Sequence, residues 1–201
     1  MTTHPVHFGV EPPARMERIH VAIRLVLLIA LGTIGCSSLY WFLYLALPAL
    51  AALLISQDGP GDYLAEDAPR IVRVLRWLAA AYAYLWLLTD AFPGSEKGEA
   101  VELRIETGGT PSTGSALLRL LYSVPAVLLL ALLSIVGGLL WLVGAVAILA
   151  RQRLPGAIAD YLALTLRYQF RLAAYHLSLV DRYPSLQEEH ATHDVPHAGV
   201  I

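Results

Sequence analysis

Charge is scarce in this sequence: of 201 residues, 15% are Asp, Glu, Lys or Arg, whereas 57% are hydrophobic. Soluble domains carry about 25% charged residues, so this composition argues against an ordinary water-soluble enzyme. The 14 basic and 16 acidic residues nearly balance, and a nucleic-acid-binding surface would need an excess of positive charge. The composition therefore predicts a membrane protein whose partners include the lipid bilayer and no nucleic acid.

Cysteine is nearly absent as well. The single Cys36 excludes an intramolecular disulfide and any metal site built from several cysteines. Metal-capable side chains near the C-terminus fall in residues 188–201, which we interpret as a polar, flexible tail. His20 and His176 could in principle ligate a haem, but they do not occupy equivalent positions in the chain. The sequence thus predicts no metal, no cofactor and no catalytic residue.

The chain does contain two long runs without charge, residues 25–57 and 120–150. As single helices they would be about 50 and 46 Å long, well beyond the roughly 30 Å of bilayer hydrocarbon. Residues that permit turns lie near the middle of each run, at 32–38 and 137–138.

These breaks predict two transmembrane helical hairpins, over 19–56 and 117–151. The predicted arms are 19–35, 39–56, 117–134 and 138–151. Pro48 and Pro125 fall inside arms and are expected to kink them. Arg24 and Arg119, at the hairpin entrances, are expected to reach the lipid headgroups.

Three topologies fit the pattern. Four short spans are preferred, a pair of re-entrant hairpins that enter one leaflet is the first alternative, and six spans, with residues 70–88 crossing, is the second. In the first two, each hairpin returns to its starting side, so all 14 Lys and Arg residues share one face. The positive-inside rule makes that face cytoplasmic, which predicts a multi-pass protein of the bacterial inner (plasma) membrane with cytoplasmic termini and inter-hairpin segments.

The two halves of the chain resemble each other. Residues 6–11 and 101–106 alternate as half-buried strands do, at an offset of 95. At an offset of 91, Leu75-Arg76-Trp77 matches Leu166-Arg167-Tyr168. An Asp-x-aromatic-Pro ending then occurs in both halves, starting at Asp90 and at Asp181.

We therefore divide the chain into two parallel repeats, residues 1–98 and 99–187, related by a pseudo-twofold along the membrane normal. Each repeat reads as strand, hairpin and amphipathic surface helix, the last at 70–88 and 158–180. On the second surface helix, Arg167 and Arg171 lie opposite the apolar stripe, where they could meet anionic headgroups. The predicted fold class is an all-α integral membrane protein with a small cytoplasmic β element formed by residues 6–10 and 101–105.

Asp90 and Asp181 are the nearest approach to a pair of catalytic carboxylates. The preferred interpretation is structural. Each aspartate lies just after the end of its helix, where it either accepts backbone N–H bonds or pairs with Arg24 or Arg119. An aspartate at a helix C-terminus opposes the helix dipole and so needs a partner. The residues predicted to have a structural or interaction role are Arg24, Arg76, Asp90, Pro93, Arg119, Arg167, Arg171, Asp181, Tyr183 and Pro184.

This order of motifs, ending each time in Asp-x-aromatic-Pro, resembles two tandem copies of a family of bacterial membrane proteins, domain of unknown function 4389. The resemblance covers about residues 5–186. The first copy departs from the pattern with Phe92 in place of the tyrosine at Tyr183. The resemblance implies a membrane location and supplies no reaction.

The preferred function is non-catalytic: an accessory or scaffold subunit that docks a protein partner, or organises lipid, at the cytoplasmic face. The hairpin arms lack the mid-bilayer acids or bases that transporters use. One alternative is an oligomeric channel or transporter component, with a pore built from Ser37, Tyr40, Gly137 and Gly138. A second is a lipid-modifying enzyme that uses Asp90 and Asp181.

Overall fold

The structure, a computed structural model, describes residues 4–33, 36–93 and 101–186, with the backbone alone for residues 33 and 36–44. The predicted tail at 188–201 and the turn of the first hairpin at 34–35 lie outside these ranges, and the side chains of Ser37 and Tyr40 are not described. The elements in chain order are β1 (Val6–Val10), α1 (Arg18–Thr33), α2 (Cys36–Asp62), a π-helical turn (Tyr63–Asp67), α3 (Ala68–Leu85), β2 (Val101–Ile105), α4 (Thr113–Tyr122), α5 (Val124–Arg151) and α6 (Gly156–His176).

The two predicted strands form a small sheet with the predicted boundaries. β1 and β2 pair antiparallel, with Phe8 opposite Leu103 at the centre. These two side chains point inward and are buried, whereas His7, Glu102 and Arg104 point outward and are exposed. The alternation of apolar and polar residues that predicted the strands thus separates an inner face from an outer one.

The first uncharged run contains two helices, α1 and α2, as predicted. Pro48 lies inside α2. The helix continues past the predicted end at residue 56 and is interrupted at Gly59, whose φ of 81° lies in the region that favours glycine. Pro60 follows and has no backbone N–H to donate, so the chain bends here before the π-helical turn.

The predicted hairpin over 117–151 is wrong, because α5 runs unbroken through Gly137 and Gly138. Glycine lowers helix stability by about 1 kcal/mol but does not by itself impose a turn, and the flanking residues are strong helix formers. Gly137 instead permits close packing: a Cβ there would lie 2.5 Å from Cζ3 of Trp86.

The helix is interrupted instead at Ser123 (φ −84°, ψ −5°), two residues before Pro125. Hydrogen bonds from Ser123 N–H to Arg119 O (2.9 Å) and from Val127 N–H to Ser123 O (2.8 Å) continue across it. The helices α4 and α5 therefore form one helical rod, interrupted at Ser123, whose ends need not lie on the same side of a membrane.

Among the described residues, α5 is the one helix long and apolar enough to cross a bilayer. Its 28 residues correspond to about 42 Å. A continuous stripe of its side chains is exposed, including Leu132, Ile135, Leu139 and Val146, each more than 60% exposed. On α1, Ile19 and Val26 are exposed to a similar extent.

The prediction of a surface helix at 158–180 is wrong. In α6, which replaces it, apolar residues such as Leu162, Leu166 and Phe170 are buried, and so is Arg171 on the predicted polar face. β1 packs on α6, and Arg171 donates to Ser185 O in the segment that follows the helix. Asp160, at the start of the helix, is exposed. Periodicity detected the polar face, but it could not show that other parts of the chain bury much of it.

The first predicted surface helix, 70–88, corresponds to α3, Ala68–Leu85. A stripe formed by Val72, Leu75, Ala79 and Ala83 is buried against the core. Trp77, on another side of the helix, is 57% exposed. Helix α3 is thus half-buried, and its apolar stripe faces the protein.

The core lies around α3 and α6, and the two halves of the chain exchange their strands over it. β1, from the first half, packs on α6, while β2, from the second half, packs on α3. The Phe8 ring stacks on Phe170 with centroids 5.8 Å apart. Neither half therefore completes its own core.

The start of α1 lies against the end of α5. Met16 N–H donates to Gln152 O at 2.9 Å, and the Arg15 side chain donates to the Gln152 side chain at 2.9 Å. Arg18 reaches Ala150 O. These contacts bring Arg15, Arg18 and the end of α5 to one end of the molecule.

Candidate functional site

Arg24 forms the first of two buried arginine clusters. The side chain comes from α1 and is 0% exposed. Its Nε donates to Tyr84 O at 2.6 Å, and its Nη2 donates to Thr89 O at 2.5 Å and to Asp90 Oδ1 at 2.9 Å. The guanidinium carbon lies 4.5 Å from the centre of the Tyr84 ring. We call this group the Arg24 cluster.

Arg119 forms the matching Arg119 cluster from α4. Its Nη1 donates to Tyr175 O at 2.9 Å and to Val180 O at 2.5 Å. Its Nη2 lies 2.5 Å from Asp181 Oδ1, and the guanidinium carbon is 4.6 Å from the centre of the Tyr175 ring. The two clusters thus use equivalent carbonyls, an equivalent ring and an equivalent carboxylate.

Each arginine satisfies carbonyl groups at the end of a helix. The carbonyls of Tyr84 and Tyr175 lie in the last turns of α3 and α6, where carbonyls lack the N–H that a continuing helix would supply. Each also accepts a backbone N–H from just beyond the helix, from Leu87 at 3.3 Å and from Ser178 at 3.0 Å. The chain leaves each helix through a residue of positive φ, Leu87 (65°) and Ser178 (53°). A cation at a helix C-terminus also favours the dipole, and it offsets the aspartate that follows. The sequence prediction that these arginines reach headgroups is wrong, since both lie inside the protein.

Each aspartate uses its second oxygen to hold the start of another helix. Asp90 Oδ2 accepts from Glu17 N–H at 2.8 Å, just before α1. Asp181 Oδ2 accepts from Thr110 N–H at 3.2 Å, before α4. Gly109, with φ of 103°, is so close that a Cβ would overlap the Asp181 carboxylate. The carboxylates therefore tie the ends of α3 and α6 to the starts of α1 and α4.

The aromatic residue after each aspartate packs on the tyrosine of its cluster. Phe92 meets Tyr84 edge-on at 5.5 Å, and Tyr183 meets Tyr175 edge-on at 5.6 Å. The Tyr183 hydroxyl also donates to Tyr122 O at 3.3 Å, a bond that Phe92 lacks the group to make. The prolines that follow differ in burial: Pro184 is buried and Pro93 half-buried.

Arg76 and Arg167 hold the sheet. Arg76 Nε, on α3, donates to Leu103 O at 3.1 Å, and Arg167 Nε, on α6, donates to Phe8 O at 3.3 Å. Arg171 Nη1 donates to Ser185 O at 2.6 Å. The expected headgroup contacts of Arg167 and Arg171 are therefore replaced by contacts to the backbone of this chain.

Two further polar residues hold the fold and were missed in the sequence. His4 is buried and accepts the Val6 N–H on Nδ1 at 3.1 Å; burial first, and then the positive charges of Arg171 and Arg182, lower its pKa to about 4. The buried Tyr63 hydroxyl donates to Leu177 O, and burial raises the pKa of Tyr63 to about 12. Neither residue lies in a motif, so no signal in one sequence identified it.

The two histidines considered as haem ligands, His20 and His176, lie in different environments. His20 Nδ1 lies 3.0 Å from the Tyr84 hydroxyl, and His176 is fully buried at the end of α6. Within the part of the chain that the structure describes, no group of three or more His, Cys, Asp or Glu residues is placed to hold a metal ion.

The geometry limits the chemistry available to the two aspartates. Both oxygens of each carboxylate accept hydrogen bonds, one from an arginine and one from a backbone N–H. A general base must instead reach the proton that it abstracts. The arrangement therefore fits a structural clamp better than an acid–base pair.

The comparison with protein families matches the second half of the chain. Residues 114–186 match the model of a domain of unknown function, DUF4389. One copy is found where two tandem copies were expected, and the match does not extend to the first half, which carries Phe92. No curated protein and no solved structure matches the chain.

Proposed function

We propose that this chain is a non-catalytic integral membrane protein, a scaffold or accessory subunit that organises lipid or docks a protein partner. The observation that carries the proposal is the continuous apolar stripe exposed along α5, which extends to α1. Soluble monomers rarely expose apolar patches larger than a few hundred Å². Since α5 is also long enough to cross a bilayer, hydrocarbon is the medium that suits this surface.

The membrane we propose is the bacterial inner membrane. Arg15 and Arg18 lie beside the C-terminal end of α5. The same end of α5 carries Arg151, and Arg153 follows it in the chain. Positive charge flanking a membrane segment favours the cytoplasmic side. We therefore propose that this end of the molecule faces the cytoplasm.

We further propose that the chain is built from two repeats related by a pseudo-twofold axis. Three features support this: the matched clusters of Arg24 and Arg119, the exchanged contacts of Arg76 and Arg167, and a strand register centred on equivalent residues, Phe8 and Leu103. The helices differ in detail, because α1 and α2 are separate helices in the first half, whereas α5 is one continuous helix in the second.

The non-catalytic assignment rests on the clamp geometry. Asp90 and Asp181, the candidate residues for a lipid-modifying enzyme, are each held by an arginine and a backbone N–H. An enzyme of this kind would lose activity and keep its fold in the asparagine variants. The scaffold proposal requires the reverse, a loss of folding stability.

Alkaline carbonate washing of native membranes tests the membrane proposal. The protein should remain with the lipid. Leu139→Arg, which adds a charge at the exposed stripe of α5, should reduce membrane integration, since Arg at a helix centre costs about 3 kcal/mol. Thr107→Arg, in the exposed loop before α4, is the matched control and should have no effect. Release of the wild-type protein by the wash would contradict the proposal.

Reconstitution in liposomes tests the scaffold role against transport. The purified protein should not raise the flux of ions or small solutes across the vesicle membrane. Flux that depends on the protein would support the channel alternative and contradict the scaffold proposal.

A further inference from the structure

An apolar groove of about 820 Å³ lies between α1, α3 and α5. Its walls include Leu28, Trp77, Leu85, Trp86, Trp141 and Leu142. This volume is in the range of pockets that enclose small organic ligands. The groove is therefore large enough to hold a flexible hydrophobic molecule.

The lining identifies the chemistry of the occupant. The indole N–H of Trp141 is already used, since it donates to Leu85 O at 2.8 Å. The residues that form the walls include no Asp, Glu, Lys or Arg. A polar ligand would lose its hydration here without charged partners in return, whereas a hydrocarbon chain needs only van der Waals contact and exclusion of water.

The surroundings identify its source. Leu25, Leu28 and Leu31 line the groove and are also partly exposed at the surface of α1, and Leu142 does the same on α5. The groove is thus an indentation in the apolar surface that we propose faces the bilayer, where acyl chains are the abundant hydrocarbon.

We infer that an acyl chain of a membrane lipid occupies this groove and packs against the indoles of Trp77, Trp86 and Trp141. The inference rests on the proposed membrane location and adds a specific lipid-chain site to it. An acyl chain there would fill the space between α1 and α5. It would also contact Leu85 and Trp86, at the end of α3 beside the Arg24 cluster.

Two neighbouring glycines allow the groove to be filled selectively. A Cβ at Gly138 would meet no atom within 4 Å, whereas one at Gly137 would collide with Trp86. Gly138→Phe therefore places a ring in the groove without a backbone clash. Val143→Phe, on the exposed side of α5, is the matched control, because Val143 is 56% exposed and does not line the groove.

The test uses tryptophan fluorescence in vesicles of phosphatidylcholine brominated at mid-chain, since bromine quenches an indole that it contacts. All variants carry Trp41→Phe, so that emission comes from the three groove indoles. Emission should be strongly quenched relative to vesicles of the unbrominated lipid. Gly138→Phe should roughly halve the quenching, because the ring displaces chain methylenes from the indoles, and Val143→Phe should leave it unchanged.

Carbonate washing of the same vesicles separates the two proposals. Protein that stays in the bilayer but is not quenched overturns the groove inference and leaves the membrane proposal standing; a second copy or another segment of the chain then covers the groove. Equal quenching in the Gly138→Phe and Val143→Phe variants likewise overturns it, since the indoles then meet only bulk lipid. Protein that the wash removes overturns both proposals.

Discussion

At the scale of single residues, Asp90 and Asp181 differ in how far their side chains are exposed. This difference predicts different losses of folding stability when each is replaced. The Asp90 side chain is 17% exposed and the Asp181 side chain 49%. Removing the negative partner of a buried ion pair leaves an uncompensated charge and costs about 3–5 kcal/mol, while an exposed pair contributes much less. Both arginines are buried, so losing either aspartate leaves a buried charge. The more exposed Asp181 carboxylate is screened more strongly by solvent, so its loss costs less.

We expect Asp90→Asn to destabilise the protein by about 3 kcal/mol and Asp181→Asn to destabilise it less. Thermal unfolding in detergent measures both. The matched control is Asp160→Asn, at an exposed position on α6, which should shift the midpoint little. Unchanged unfolding of both clamp variants would contradict the structural role of these residues.

His4 predicts a pH dependence. Its folded pKa is about 4, against 6.5 as the ordinary value, so the unfolded chain binds the proton more readily. Stability is therefore complete above about pH 6.5 and falls as the pH drops from 6.5 through 4, by up to about 3 kcal/mol. A protonated His4 could also no longer accept the Val6 N–H.

The measurement is the unfolding midpoint of wild type and His4→Gln between pH 4 and pH 7. Glutamine can accept the Val6 N–H but does not titrate, so the variant should lose stability less steeply on acidification. Parallel curves for the two proteins would mean that His4 does not contribute the pH dependence.

The residue contacts also show what one sequence can and cannot predict. The helix dipole predicts that each aspartate needs a partner, and pairing with Arg24 or Arg119 was one of the two alternatives; the structure shows both, an arginine and a backbone N–H. The contacts of Arg76, Arg167 and Arg171 could not be predicted, because the strands and the C-terminal segment that cover them come from distant parts of the chain.

At the scale of elements, α5 shows why a glycine pair that predicts a turn can lie inside a continuous helix. Glycine is enriched in turns, and a single apolar helix over residues 120–150 is longer than the bilayer hydrocarbon is thick. Both considerations favour a turn at Gly137 and Gly138. The chain instead uses Gly137 for a close contact with Trp86, and the helix is interrupted at Ser123. The strands were predicted with correct bounds, because alternation over five residues has a single period and nearby glycine and proline mark its limits.

This packing predicts opposite effects at two adjacent positions. Gly137→Ala should destabilise the protein by roughly 1–3 kcal/mol, since the new methyl group overlaps Trp86. Gly138→Ala should be neutral or stabilising by about 0.5–1 kcal/mol, because alanine suits a helix and the space is open. Thermal unfolding in detergent distinguishes them, and equal effects would contradict the close approach of α5 to Trp86.

At the scale of the whole molecule, the exchanged strands mean that the two predicted domains are not independent. Fragment 1–98 lacks β2, which covers α3, and fragment 99–201 lacks β1, which covers α6. We expect each fragment to aggregate when expressed alone and the two to purify together when co-expressed. Disruption of both strand contacts by Arg76→Gln and Arg167→Gln should weaken this association. A fragment that is folded and monodisperse alone would contradict the mutual dependence of the halves.

The register of the sheet has a consequence for ancestry. An antiparallel ladder centred on Phe8 and Leu103 is the arrangement that two identical polypeptides make when each contributes the same strand to a shared dyad. A shorter protein carrying one such unit could build the same core by homodimerisation. Under the proposed two-repeat organisation, fusion of two gene copies would then free each half to diverge; the segment that matches the family model, residues 114–186, lies in one half.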